Sequence, residues 1–102
     1  MKQLFMFALG ACILPAAIAA PDGAVLYTEK TCIACHGAQG NKPLLPNYPK
    51  IGGQRAAYTE QQMHDIKSGA RANGQTAAMK GIMHLVNDEE IKTLSVWLET
   101  LK

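Results

Sequence analysis

No excess of charge of either sign marks this chain. Ten basic residues stand against eight acidic ones over 102 positions, a formal net charge of +2. That balance is too mild for an electrostatic hold on nucleic acid, and it leaves no acidic tail. Glycine and proline, at 9 and 5, are too few for a collagen-like or low-complexity chain. No strand-like alternation surrounds the cysteines, no second Cys-x-x-Cys pair exists, and no nucleophile–base pair stands out. The length allows one domain and leaves no room for two.

What is present begins with an export pattern. Residues 1–20 read MKQLFMFALGACILPAAIAA. Lys2 supplies a short positive region and residues 4–14 an apolar one. Pro15 then breaks the helix, and Ala17 and Ala19 put small residues where a signal peptidase inspects. The spacing predicts a cleaved secretory signal peptide over residues 1–19, with cleavage after Ala20 as the next choice, and a domain over 20–102. The run is too short and too Ala-rich at its end for a comfortable membrane span, which disfavours an uncleaved anchor. Leu9-Gly10-Ala11-Cys12 resembles a lipoprotein box, but residues 13–20 stay apolar where a lipoprotein turns polar. Export also places the domain in a disulfide-permissive, periplasmic setting.

Cleavage leaves roughly 80 residues, near the lower limit for a self-sufficient core. A staple is therefore expected. A bridge between Cys32 and Cys35 would close almost no loop and stabilise little. The sequence Cys32-Ile33-Ala34-Cys35-His36 offers another staple, because it is the signature of covalent c-type haem attachment. On a helical turn the three side chains fall at about 0°, −60° and +40°, one face of the helix. Two thiols there add to the haem vinyl groups as thioethers, and the adjacent imidazole points at the iron. A thioredoxin-like motif would need a βαβ setting, and a zinc site would need a fourth ligand.

A haem iron bound by one histidine needs a sixth ligand or keeps an open position. The candidates are Met63, Met79, Met83, His64 and His84. Met63 belongs to a helical stretch in which it shares a stripe with Thr59 and Ile66, so it reads as core filler. Met79 and Met83 lie in residues 76–86, which read as a loop between two helices. The two histidines read as solvated surface residues.

The last helix is well specified. Asn87 is a good N-cap, Glu90 completes a capping box, and Asp88, Glu89 and Glu90 oppose the helix dipole. Ile91, Leu94, Leu98 and Leu101 form one apolar stripe with Trp97 on its edge. Residues 39–54 are Pro- and Gly-rich and read as an irregular loop. No convincing strand exists. The expected fold is all-α, with about three main helices around one haem.

The residues after the leader resemble a class I cytochrome c of the small bacterial type, and most closely a single repeat of the two-haem bacterial cytochromes c. The resemblance runs through Gly23-Ala24-Val25-Leu26-Tyr27, Cys32 to Gly37, Gly40-Asn41, Pro46 to Gln54, Gln62-Met63, Asp65 to Gly69, and Asn87 through Leu98. It implies that Met79 is the sixth ligand, with Met83 the runner-up, and that a loop carbonyl near Pro46 partners the second nitrogen of His36. It also implies that Trp97 packs on the first helix at Gly23. The implied function is that of a periplasmic one-electron carrier with one covalent haem c and His/Met ligation, not an enzyme. The alternatives are a haem subunit of a larger oxidoreductase, or a haem-based ligand sensor if the methionine is labile. The implied partners are redox proteins, some of them membrane-bound. No nucleic acid and no small-molecule substrate are expected. Lys42, Lys50 and Lys80 fall in loops expected near the exposed haem edge.

Overall fold

The computed structural model describes residues 22–101. The expectations for the leader over residues 1–19 and for Cys12 lie outside the described residues. Within them the fold is all-helical, with no strand: α1 (Gly23–Glu29), α2 (Cys32–His36), α3 (Ala56–Ser68), α4 (Thr76–Met83) and α5 (Asp88–Glu99).

The expected main helices are α1, α3 and α5, and two further helices join them. One is the attachment motif itself. The other, α4, corrects the reading of residues 76–86 as a loop. Ala77, Ala78, Met79 and Lys80 are all strong helix formers, and Thr76 and Met83 both find burial on one face. The misleading signals were Gly81 inside the helix and an N-cap, Gln75, that makes no side-chain cap.

Helix α5 is the backbone of the domain, packing on both α1 and α3, while α4 rests on α3 and α2 on α1. Its capping box forms as the sequence implies: the Glu90 amide donates to Asn87 Oδ1 and the Asn87 amide to Glu90 Oε1, both at 2.9 Å. Ile91, Leu94 and Leu98 are buried and join Leu26, Tyr27, Met63, Ile66, Met83 and Val86 in one core. Helix α1 starts at Asp22, whose carboxylate accepts from the Ala24 amide at 2.7 Å.

The α1–α5 crossing depends on Gly23. A Cβ there would fall on Cβ of Trp97, 2.8 Å from its Cγ and 3.2 Å from the Thr93 carbonyl oxygen. With no side chain in the way, Trp97 reaches Tyr27, and their ring centroids lie 5.0 Å apart at 48°. Such a pair contributes about 0.5–1.5 kcal/mol beyond its buried area.

Gly23→Ala is therefore expected to destabilise the protein. Alanine gains about 1 kcal/mol of helix propensity, but overpacking costs about 1–3 kcal/mol. Because the clash is with Cβ, no rotamer of Trp97 relieves it. Thermal unfolding of the haem-loaded protein, followed by far-UV circular dichroism, should show a lower midpoint; an unchanged or higher midpoint would show that the two helices can part without loss.

Candidate haem site

Helix α2 turns off α1 through Lys30 and Thr31. Thr31 sits at φ 64°, in the left-handed region, where a β-branched residue is rare. That conformation lets the second helix begin two residues after the first ends. Three ties from outside then hold α2. The Tyr27 hydroxyl donates to the Gly37 carbonyl at 2.5 Å. The Leu44 amide donates to the Cys35 carbonyl at 2.9 Å. Nδ1 of His36 lies 2.9 Å from the carbonyl oxygen of Pro49.

The last contact fits the expectation of a loop carbonyl near Pro46 and identifies which one. The carbonyl belongs to Pro49; Pro46, earlier in the same loop, is exposed. Because a carbonyl only accepts, Nδ1 carries the proton and Nε2 keeps its lone pair. His36 is 6% exposed. Burial lowers its pKa from the usual imidazole value, more than the bond to Pro49 raises it, so the ring is neutral at pH 7. A neutral ring with a fixed tautomer is what a metal ligand requires.

Cys32 does not behave as a redox nucleophile. Burial pushes Cys32 up to about 11, whereas a thioredoxin-type cysteine needs a lowered value. Cys32 and Cys35 are not bonded to each other. Among the described residues no three His, Cys, Asp or Glu side chains form a metal-holding cluster.

Cys32, Cys35 and His36 instead line a cavity of about 370 Å³ that enters the core between α2, α3 and α4. Met79 of α4 lines the same cavity, and so does Met63 of α3. Met83 does not: it is 1% exposed and packs in the core. Positions 79 and 83 are neighbours one turn apart on α4, so the helix runs from the cavity at Met79 to the core at Met83. His64 sits outside, 4.0 Å from Glu60 and 3.8 Å from Asp88, and His84 is exposed at the end of α4. Gly23 and Trp97 lie away from the cavity and act on it through Tyr27, which lines it. Lys50 lines the cavity, while Lys80 lies on helix α4 and not in a loop, with its amine over Gly69.

These residues fit a haem. The donor set is two thiols and an imidazole lone pair, with thioether sulfurs elsewhere around the cavity. The Thr59 hydroxyl of α3, in the cavity lining, is buried and has no hydrogen-bond partner, as expected where a ligand completes the site. When bound, the haem supplies an iron that cycles by one electron.

An all-helical domain with this attachment helix on a core cavity defines a covalent haem protein. The family model for cytochrome c matches residues 20–102; the chain belongs to the cytochrome c family, has the class I fold and carries covalently bound c-type haem. It is 39% identical over 71 residues to cytochrome c4 of Pseudomonas aeruginosa, covering 70% of this chain and 33% of that protein. It is 34% identical to cytochrome c-553 of Helicobacter pylori, covering 100% of both chains. The crystal structure of reduced recombinant cytochrome c4 from Pseudomonas stutzeri is similar, with a TM-score of 0.69 and 33% identity, over 78% of this chain and 46% of that one. The chain thus spans about a third of the length of the cytochrome c4 relatives it matches.

Replacing both cysteines by alanine should abolish covalent attachment, and either single replacement should leave at most one thioether and less accumulated protein. Haem stain on a denaturing gel reads this directly. Wild-type staining from the double variant would mean that attachment occurs elsewhere.

The Tyr27 hydroxyl gives a second expectation. Tyr27→Phe leaves the Gly37 carbonyl without that donor and should cost about 0.5–1.5 kcal/mol, measured by denaturant unfolding of the haem-loaded protein. An unchanged midpoint would show that the hydroxyl does not hold α2.

Proposed function

We propose that the chain is a periplasmic one-electron carrier in which His36 and Met79 hold the iron from its two sides. One observation carries this reading: Met79 shares the cavity with Cys32, Cys35 and His36, while Met83 is committed to the core. Met63 also borders the cavity, but its side chain is buried with Ile66 in the core cluster. A methionine thioether is a soft ligand that favours ferrous iron and raises the potential. With both axial positions taken by the protein, no open coordination site is left for oxygen or peroxide, which favours electron transfer over ligand chemistry or sensing.

The rest of the proposal concerns place and partners. The leader over residues 1–19 exports the chain, and the domain over 20–102 works outside the cytoplasm, where haem is attached. Among the described residues no helix is long and apolar enough to cross a membrane. Contact with a membrane then comes through a membrane-bound redox protein. Donor and acceptor are proteins that meet the chain in brief encounters.

The ligand assignment is tested by two variants. Met79→Ala should abolish the weak far-red sulfur-to-iron band of the ferric protein, lower the midpoint potential and let the ferrous protein bind carbon monoxide. Met83→Ala should keep the band and lose about 2–5 kcal/mol of stability, as a core truncation does. The reverse pattern would move the ligand to Met83. Carbon monoxide binding by the wild type would turn the reading towards a sensor.

A further inference from the structure

The chain has four asparagines, Asn41, Asn47, Asn73 and Asn87, followed by Lys42, Tyr48, Gly74 and Asp88. An asparagine is chemically unstable where the amide nitrogen of the next residue reaches its side-chain carbonyl carbon. A side chain on that next residue shields the nitrogen, and glycine has none. Asn73-Gly74 is therefore the pair in this sequence best suited to the reaction, and Asn-Gly is also a turn-forming pair.

The fold leaves this pair open. Helix α3 stops at Gly69 and the chain turns back before α4, the Arg71 amide donating to the Asp65 carbonyl at 3.0 Å. Asn73 and Gly74 are both exposed. Gly74 takes φ 56°, and a Cβ there would meet nothing within 4 Å, so no neighbour crowds the residue. The Asn73 carbonyl oxygen accepts twice, from the Thr76 amide at 3.1 Å and from the Thr76 hydroxyl at 2.5 Å. Among the described residues, neither the Gly74 amide nor the Asn73 side chain makes a hydrogen bond. Two donors on the carbonyl draw electron density from the nitrogen of the same peptide group, that of Gly74, and ease the loss of its proton. The turn thus leaves the reacting groups free and polarises one of them. Its place also matters. Asn73 and Gly74 line the haem cavity, where among the described residues the charged side chains are Lys50 and Arg71 and none is Asp or Glu. Helix α4, which follows, has no acid in its first turn and no side-chain cap, so a negative charge ahead of it meets the favourable end of the helix dipole.

We infer that Asn73 is a site of spontaneous deamidation, which puts a carboxylate on the wall of the haem cavity and lowers the potential of the carrier as it ages. The Gly74 nitrogen attacks Cγ of Asn73, and the bond from Cγ to the side-chain nitrogen breaks. That nitrogen leaves as ammonia, taking the proton that Gly74 gave up. The cyclic imide is then opened by water at either of its carbonyls, giving aspartate or isoaspartate. One water is consumed, one ammonia is released and no electron moves, while a neutral amide becomes an anion. An anion at the cavity favours ferric iron over ferrous, since it stabilises the state of higher positive charge. The isoaspartyl product also carries the main chain through Cβ, adding one carbon to the path just before the helix that holds Met79. The effect on potential rests on the haem being seated by Cys32, Cys35 and His36; the deamidation itself does not.

The test ages haem-loaded wild type and Asn73→Gln side by side, with Asn73→Asp and Lys92→Gln as fixed references. Lys92 is exposed on α5 away from the cavity, so its loss controls for net charge. Peptide mapping by mass spectrometry, with enzymatic methyl labelling of isoaspartate, locates the product. Wild type should gain aspartate and isoaspartate at position 73 ahead of positions 41, 47 and 87. Asn73→Gln should stay intact, because the longer side chain must close a larger ring. The midpoint potential of aged wild type should fall towards that of Asn73→Asp, while Asn73→Gln keeps its starting value. Lys92→Gln should shift the potential less than Asn73→Asp does. If Asn73→Asp fails to accumulate, the aged wild-type fraction separated by ion exchange serves in its place. Asn73 left intact in the folded protein while it converts in the denatured chain would overturn the inference, since the fold would then protect the turn. So would an unmoved potential in the converted protein, or an equal shift in Lys92→Gln. Loss of the haem itself is read separately by haem stain, so a failure of the site and a failure of the inference are told apart.

Discussion

A five-residue helix has no stability of its own, because nucleation costs more than one turn returns. Helix α2 is such a helix, and it carries Cys32, Cys35 and His36, which line one side of the cavity. Its conformation is therefore imposed by the hydrogen bonds that converge on it from α1 and from the loop that follows it. The Tyr27 hydroxyl holds its last turn, the Leu44 amide caps the Cys35 carbonyl, and Pro49 fixes the His36 ring. Each tie is anchored in turn. Tyr27 is fixed by Trp97 across the Gly23 notch. The loop is pinned to α5 by the Gly53 amide, which donates to the Leu98 carbonyl at 2.8 Å. Helix α5 thus positions α2 without touching the haem ligands directly.

The opposite side of the cavity is built by another economy. Helix α4 packs on α3 alone among the helices, and one of its faces does two jobs. Met83 enters the core with Val86, while Met79, one turn earlier, stays at the cavity. The segment after α4 is tied down by Lys67 of α3, whose amine donates to the Val86 carbonyl at 2.5 Å. Core packing and cavity lining therefore sit one turn apart on the same helix, at Met83 and Met79.

Legibility in the sequence followed how local each cause is. Helix α5 could be read completely, since its cap, dipole charges and apolar stripe all lie within one segment. The grouping of residues 32–36 was equally plain, because the spacing alone puts three donors on one face, and all three line the cavity. Helix α4 was misread as a loop, since it lacks a capping side chain and contains Gly81, and its stability comes from packing on α3. The carbonyl of Pro49 was out of reach for a related reason: which carbonyl of an irregular loop meets His36 depends on the path from Gly37 to Gly53. Thr31 in the left-handed region carried no signal either, as neither glycine nor asparagine marks that turn. Tyr27 was within reach as a neighbour of Trp97, one helical turn beyond Gly23 on the same face, but its hydroxyl contact is made only in the fold.

Near-neutral composition conceals a marked separation of charge. Three of the eight acids cluster at the start of α5, where the helix dipole favours them. Glu60 and Asp88 flank His64 between α3 and α5, and Glu90 pairs with Lys30. Such exposed or half-exposed pairs contribute little to stability. Their arrangement matters more for what it keeps away from the cavity. A carboxylate of the protein beside the iron would favour the ferric state and draw the potential down, against the effect expected of a thioether ligand. Confining the acids to outer surfaces and leaving Arg71 and Lys50 at the cavity makes the protein's field act in the direction that a thioether ligand would. A net charge of +2 could not show this, because the property lies in where the charges are, and the fold decides that.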